Sequence, residues 1–347
     1  MIPGPISDNQ KATGLGGFEK YLVIWIPLCM IAGVLLSQYT SAGESIESIS
    51  IRGISIPIGI CLFFMMYPAV LNLKSSELKK LRHTPTPILL TVLSNWIIAP
   101  LVGFGLARIF LADHEQLFVA VILLSASPCT AMVLIWGAMA NGNQEQNVVN
   151  TSLNTITIML FYGPLVALLT GIQNIEIDRW GLAVSVLIFI GLPIIFGLLT
   201  RKLVIPRKGN AWFEEVYRPF FGKVSMIALL ITLIVLFALN GATILGNPEY
   251  LLLISVPLLL SFVVVVGFNL WITKLFRLQY REAVITVIIG SSSHFEIAIA
   301  TAIATYGVGS VAALGTTMGL FWEIPIMLGL VYFAKYLARK KFWSSDD

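Results

Sequence analysis

Chemistry in apolar surroundings needs nucleophilic or ionisable side chains where only hydrocarbon is expected, and this chain of 347 residues offers them at two similar interruptions. In LLSASPCTAMVLIW, Cys129 follows Ser127 and Pro128, and the proline removes a backbone donor and disfavours helix for the residue before it. In IIGSSSHFEIAIA, Glu296 follows Gly290, three serines and His294, and glycine with hydroxyls weakens a helix at a comparable depth. One thiol at such a break suits a soft, thiophilic substrate, and a single sulfur ligand keeps binding weak enough for release. A lone carboxylate there can cycle between protonated and ionised forms, which suits proton coupling. Ser127 and Ser293 place hydroxyls beside the two groups.

Other residues carry plainer readings. Glu323, in LFWEIP, is the second carboxylate inside an apolar stretch, and it serves either transport or the backbone groups freed by Pro325. Cys29 and Cys61 read as small buried hydrophobes, and no CxxC or CxxH spacing joins any of the three cysteines. His294 reads as a hydrogen-bonded spacer, Asn95 and Trp136 as packing groups, Met65 and Met66 as core filler, and the polar run 141–147 as a solvated loop.

The elements that must hold these residues are membrane spans. Only 12% of the residues are charged, against about 25% in soluble proteins, and mean hydropathy is +0.88. Lipid must therefore solvate the surface. A hydrocarbon core about 30 Å thick needs about 20 apolar residues per helix. Ten segments qualify: 21–37, 54–73, 88–111, 117–140, 149–171, 180–200, 224–240, 250–273, 283–306 and 308–333. With the N-terminus inside, 19 of the 22 Lys and Arg residues fall on inner segments, among them 74–82 and 201–223, and only Arg52, Arg108 and Arg179 fall outside. Both termini are thus expected in the cytoplasm. The net charge of +4 is scattered over short loops, which argues against a nucleic-acid partner.

The halves resemble each other at an offset of about 164 residues. Residues 24–36 face 188–200, with Gly33 matching Gly197, and Gly103-Phe104 matches Gly267-Phe268. Ser125-Ala126-Ser127 matches Ser291-Ser292-Ser293, and Pro164 matches Pro325. Five spans per unit is an odd number, so the second unit must run upside down relative to the first. The expected organisation is an all-α polytopic protein: a tail over 1–20, one five-helix unit over 21–171, its inverted copy over 172–333, and a tail over 334–347. Spans 4 and 9, broken at matching depth, should cross at the midplane with Cys129 and Glu296 on one cavity.

With these motifs in place, SPCTAMVLIW (127–136), HFEIAIA (294–300) and FWEIPIMLGLVYFA (321–334) resemble the Acr3-type arsenite efflux permeases. The similarity extends through FEKYLVIWIPLCMIAGVLL (18–36), FFMMYPAVLNLK (63–74) and SNWIIAPLVGFGLARIFL (94–111). The resemblance implies a core domain moving against a panel domain in the cell membrane. It also implies export of trivalent arsenic, sometimes antimony, against inward proton flow. The family's essential cysteine maps onto Cys129, the sulfur ligand of As(III), and its span-9 glutamate maps onto Glu296. Asn95, Trp136 and Glu323 match further family positions. Some members carry Arg-Cys where this chain has Pro128-Cys129, so that arginine's role does not carry over.

No nucleotide-binding GxxxxGK[ST] loop is present to power transport, and no cofactor is expected beyond the proton gradient. Arsenite, a neutral trihydroxide, would bind the Cys129 sulfur while Glu296 and nearby serines hold its remaining hydroxyls. Two alternatives stand beside this. A sodium-coupled symporter of the bile-acid type shares the ten-helix plan, and sodium dependence would favour it. An intramembrane hydrolase would use Ser291, Ser292 or Ser293 with His294 and Glu296, but contiguous helical residues spread around the axis.

Overall fold

The computed structural model describes residues 21–40, 50–51, 54–71, 85–130, 132–173, 187–246, 248–307 and 309–343, with Ile175, Trp180 and Val184 besides. The expected tail 1–20, the basic segment 74–82, Arg52 and Arg179 lie outside the described residues. In chain order the helices are α1 (Leu22–Tyr39), α2 (Ile56–Leu71), α3 (Pro85–Phe110), α4 (Glu115–Ser125), α5 (Met132–Met139) and α6 (Gln144–Ile172). Then follow α7 (Leu192–Lys208), α8 (Arg218–Gly246), α9 (Glu249–Leu275), α10 (Tyr280–Gly290), α11 (Phe295–Tyr306) and α12 (Val311–Arg339). A two-residue antiparallel ribbon, β1 (Ser50–Ile51) with β2 (Ile54–Ser55), leads into α2.

Among the described residues, five stretches are long and apolar enough to cross a membrane: Pro85–Phe110, Gln144–Ile172, Asn210–Gly241, Glu249–Leu275 and Val311–Arg339. Their outer faces remain apolar, with Leu101, Leu160, Leu252 and Val263 all exposed. Exposed hydrocarbon on this scale is stable only against lipid, and helices satisfy their own backbone groups there. The chain is a multi-pass membrane protein.

Proline shapes the helices in a consistent way. Wide π turns occur at Ser94–Ile98, Leu187–Gly191 and Phe213–Tyr217. Each ends two residues before a proline: Pro100, Pro193 and Pro219. A proline lacks the N–H and presses its ring on the carbonyl four residues back, and a widened turn at that carbonyl relieves both. At Ser94–Ile98 the turn leaves Ser94 and Asn95 buried.

Helices α1, α2, α7 and α8 pack as one group, and α3 to α6 with α9 to α12 form the other. Glycine allows the closest approaches. A Cβ on Gly33 of α1 would sit 2.5 Å from the Ile234 carbonyl oxygen of α8, and one on Gly197 of α7 would sit 2.6 Å from Val70 Cγ1 of α2. Small residues at such crossings let helices gain dispersion contacts in lipid, where the hydrophobic effect between them is absent.

The run 141–147 is not a solvated loop. Helix α6 starts at Gln144, capped by the Asn143 side chain accepting from the Glu145 and Gln146 N–H groups. Gln146 and Asn147 are buried. The Asn147 amide donates to the Val133 carbonyl at 3.0 Å, and the Gln146 amide donates to Thr286 Oγ1 at 3.2 Å. Polarity suggested solvent, but these amides instead cap backbone and hydroxyl groups on α5 and α10. At the other end α12 runs to Arg339, past residue 334, and Trp343 is buried with its indole N–H donating to Thr273 Oγ1 at 3.1 Å.

Candidate functional site

Two helix interruptions meet at the centre. The chain leaves helix after Ser125 and resumes it at Met132, and it leaves again after Gly290 and resumes at Phe295. Pro128 explains the first break, and Gly290 with the serine run explains the second. The two extended segments lie antiparallel, bridged at Pro128 and Ser293. The Cys129 N–H donates to the Ser292 carbonyl (3.3 Å), and the His294 N–H donates to the Ser127 carbonyl (2.6 Å). Backbone groups that lose their helical partners thus satisfy one another, as burial in a membrane requires. The N-termini of α5 and α11 both start at this crossing, each bringing a partial positive charge.

Cys129 is 2% exposed. Its carbonyl accepts from the Asn154 amide of α6 at 3.0 Å, and the Asn154 Oδ1 accepts from the Asn95 amide at 3.3 Å. The π turn on α3 is thereby tied through α6 to the cysteine's own backbone. Glu323, also 2% exposed, grips the second break from α12. The Ser292 and Ser293 hydroxyls each donate to its carboxylate at 2.5 Å, and the Ser293 N–H reaches both oxygens at 3.2 and 3.3 Å. Of the two roles open to Glu323, bonding to backbone freed by Pro325 does not match this geometry; its bonds go to the break.

Glu296 stands in the first turn of α11, where the helix dipole favours negative charge. It is 6% exposed. The His294 Nδ1 lies 3.5 Å from Glu296 Oε2, and His294 Nε2 lies 3.1 Å from Thr130 Oγ1. The Ser127 hydroxyl donates to the Leu124 carbonyl at 2.8 Å, so its lone pairs remain free to accept. Trp136 is buried in α5, beyond Cys129, and packs in the core without joining the hydrogen bonds described at the crossing.

The crossing separates two cavities. The larger is lined by Asn95, Ser127, Pro128 and residues 290–293, with apolar walls from α4 and α9. The smaller is lined by Met66, Thr130, Thr155, His294 and Ile297. Since Pro128 borders the first and Thr130 the second, the chain passes from one to the other at Cys129. Of the residues expected from sequence, Cys129, Ser127, Ser293, Asn95 and Glu323 fall on one connected set of bonds, with Glu296 beside it through His294.

Three participants lie beyond what the sequence motifs mark: Asn154, Thr130 and His294 as more than a spacer. A signal for Asn154 existed. Asn147, Asn150, Thr151 and Asn154 recur at three- and four-residue spacing along one face of α6, and all are buried.

A many-helix membrane protein whose two broken helices bond to each other at a buried polar centre has the construction of a secondary transporter. A model of the sodium bile acid symporter family matches residues 59–247. The chain is 36% identical to a transporter of Synechocystis over 98% of its own length and 94% of that protein's. It is 33% identical to the arsenical-resistance protein Acr3 of Alkaliphilus metalliredigens, covering 96% of each chain. To the Acr3 of Corynebacterium glutamicum it is 29% identical, over 96% of this chain and 93% of that one. The chain belongs to the sodium bile acid symporter family, in the part that holds the Acr3 arsenical-resistance proteins.

Proposed function

We propose that this protein is a secondary carrier that exports arsenite, with antimonite as a second cargo of the same chemistry, across the cell membrane in exchange for inward-moving protons. The observation that carries the reading is the antiparallel crossing of the two breaks, which places one thiol and one carboxylate on adjoining buried segments. The likeness to Acr3 proteins supplies the cargo.

In this reading As(OH)₃ reaches Cys129 from the cytoplasm. The sulfur bonds to arsenic, one hydroxyl leaves, and the thiol proton goes with it as water, so the exchange is neutral. Of the two remaining As–OH groups one donates to Glu296 and the other to the oxygen of Ser127 or Ser293, whose own hydrogens are engaged elsewhere. Asn95 and Glu323 hold the two breaks in place, and Trp136 packs the half-helix behind the thiol. Outside, water reverses the sulfur exchange and arsenite leaves; a proton then takes its place on Glu296, and only the protonated empty carrier returns.

The reading includes ten spans, counting α4 with α5 and α10 with α11 as broken spans, in inverted units over 21–171 and 172–333, with both termini in the cytoplasm. Support for the inversion comes from reciprocal glycine contacts. Gly33 on the first helix of one unit meets α8 of the other, and its counterpart Gly197 on α7 meets α2. Helices α1, α2, α7 and α8 would form the panel against which the rest moves.

Everted vesicles given radiolabelled arsenite test this. Uptake should follow an imposed proton gradient, Cys29→Ser and Cys61→Ser should retain it, and Cys129→Ser should lose it. Undiminished uptake by Cys129→Ser sinks the sulfur role, and full gradient-driven uptake by Glu296→Gln sinks the proton role. Sodium coupling is the second reading, motivated by the match to the sodium bile acid symporter family, and a sodium requirement in the same vesicles would favour it. The hydrolase alternative lacks support in the geometry: His294 Nε2 faces Thr130, while the Ser292 and Ser293 hydroxyls face Glu323.

A further inference from the structure

We propose that His294 relays the coupling proton between the smaller cavity and Glu296, so that the carboxylate exchanges its proton through the imidazole ring. The inference rests on the reading of Glu296 as the proton carrier and adds the route by which the proton reaches it.

Position supplies the first part of the argument. His294 and Thr130 line the smaller cavity with Met66, Thr155 and Ile297, whereas Glu296 is not among the lining residues. The ring therefore stands between the cavity and the carboxylate. Its two nitrogens face in different directions, with Nε2 toward Thr130 Oγ1 at 3.1 Å and Nδ1 toward Glu296 Oε2 at 3.5 Å. The backbone fixes the residue, since its N–H donates to the Ser127 carbonyl across the crossing and it forms the cap of α11.

The second part is an unused atom. His294 is 2% exposed, and Nδ1 has no hydrogen-bond partner among the described residues. A buried polar atom without a partner is costly, and the Glu296 carboxylate lies just beyond ordinary bonding distance from it. A shift of a few tenths of an ångström closes that gap to the reach needed for proton transfer. The other buried carboxylate and phenol groups on α2, α6 and α12 are otherwise engaged. Glu323 on α12 is held by Ser292 and Ser293, Tyr67 on α2 by Thr200 and Tyr217, and Tyr162 on α6 by the Leu123 carbonyl. Cys61 lies on α2 and Cys129 on the facing break, the latter assigned to arsenic.

The proton count closes. With Glu296 ionised, Nδ1 carries the hydrogen and donates to Oε2, while Nε2 accepts from the Thr130 hydroxyl. A proton from the cavity adds at Nε2 as the Thr130 hydroxyl rotates to accept, and the Nδ1 hydrogen passes to Oε2. The ring ends neutral with its hydrogen on Nε2, and Glu296 is protonated. Release runs the same steps backward, and one proton is transferred each way.

The test compares two fluxes in everted vesicles of wild type and His294→Asn, since asparagine suits the N-cap position but cannot pass a proton through a ring. One flux is net arsenite uptake driven by a proton gradient; the other is labelled-for-unlabelled arsenite exchange at equal pH, which needs no net proton transfer. The ratio of net uptake to exchange should fall by at least about tenfold, the scale of a lost general acid-base group, and the dependence of net uptake on pH should flatten. An unchanged ratio, including a parallel loss of both fluxes, overturns the relay. If His294→Asn fails to reach the membrane, His294→Gln takes its place under the same criterion. Wild-type uptake indifferent to the gradient overturns the proton role of Glu296 itself, and the relay with it.

Discussion

Replacing Asn154 by alanine should injure this protein far more than the same change at Asn150, one turn earlier on the same face of α6. Asn154 holds two partners: its amide donates to the Cys129 carbonyl at 3.0 Å, and its Oδ1 accepts from Asn95 at 3.3 Å. Asn154→Ala leaves a buried carbonyl and a buried amide without partners. Each such orphan costs about 1–3 kcal/mol, so the loss is about 2–6 kcal/mol. Asn150 donates only to Thr91 Oγ1 at 3.3 Å, and its Oδ1 has no partner among the described residues. Thr91 keeps its own bond to the Pro87 carbonyl, so Asn150→Ala orphans nothing and costs about 1 kcal/mol. Thermal unfolding in one detergent reads the stability difference, and arsenite affinity in vesicles reads the effect on the thiol. Because about 1.4 kcal/mol is tenfold in a binding constant, even partial transmission to Cys129 weakens arsenite measurably in Asn154→Ala and not in Asn150→Ala. Equal stability and equal affinity in the two variants would refute the claim that Asn154 positions the cysteine.

Gly33→Ala should destabilise more than Gly197→Ala, although the two glycines occupy matching places. The first Cβ meets the Ile234 carbonyl oxygen at 2.5 Å, which cannot turn aside, and the second meets a Val70 methyl at 2.6 Å, which can; overpacking of about 1–3 kcal/mol is expected for Gly33, read as a fall in unfolding temperature. Glu323→Ala should lower stability by at least about 3 kcal/mol, because it removes an acceptor that serves two hydroxyls and a backbone N–H. Glu323→Gln keeps one oxygen and should lose less; matching unfolding temperatures for the two variants would contradict this account. Gly105→Ala is the control, since a Cβ there meets nothing within 4 Å, and it should be neutral or stabilising by up to about 1 kcal/mol through helix propensity.

Much of the crossing was legible because its causes are local. A proline or a glycine-serine run breaks a helix wherever it stands, so Ser127-Pro128-Cys129 and the approach to Glu296 marked the breaks before any packing was known. Hydrophobic length likewise located α3, α6, α8, α9 and α12. Polar groups inside helices were harder to read, because a buried amide and a solvated one look alike in sequence. Gln146 and Asn147 have the polarity of a solvated loop and yet lie in the core, where they satisfy groups on other helices. Glu323 offered two readings, and only the position of Ser292 and Ser293 chose between them.

Composition, hydropathy and the spacing of breakers by themselves determined that the chain lies in lipid, where its helices run and where two of them fail. Those properties depend on each residue and its near neighbours. Tertiary structure alone decided that the two failures bond to each other, that Asn154 ties Asn95 to Cys129, and that His294 faces Thr130 on one side and Glu296 on the other. Such pairings join residues far apart in the chain, and which orphaned backbone group meets which partner is settled only when the helices pack.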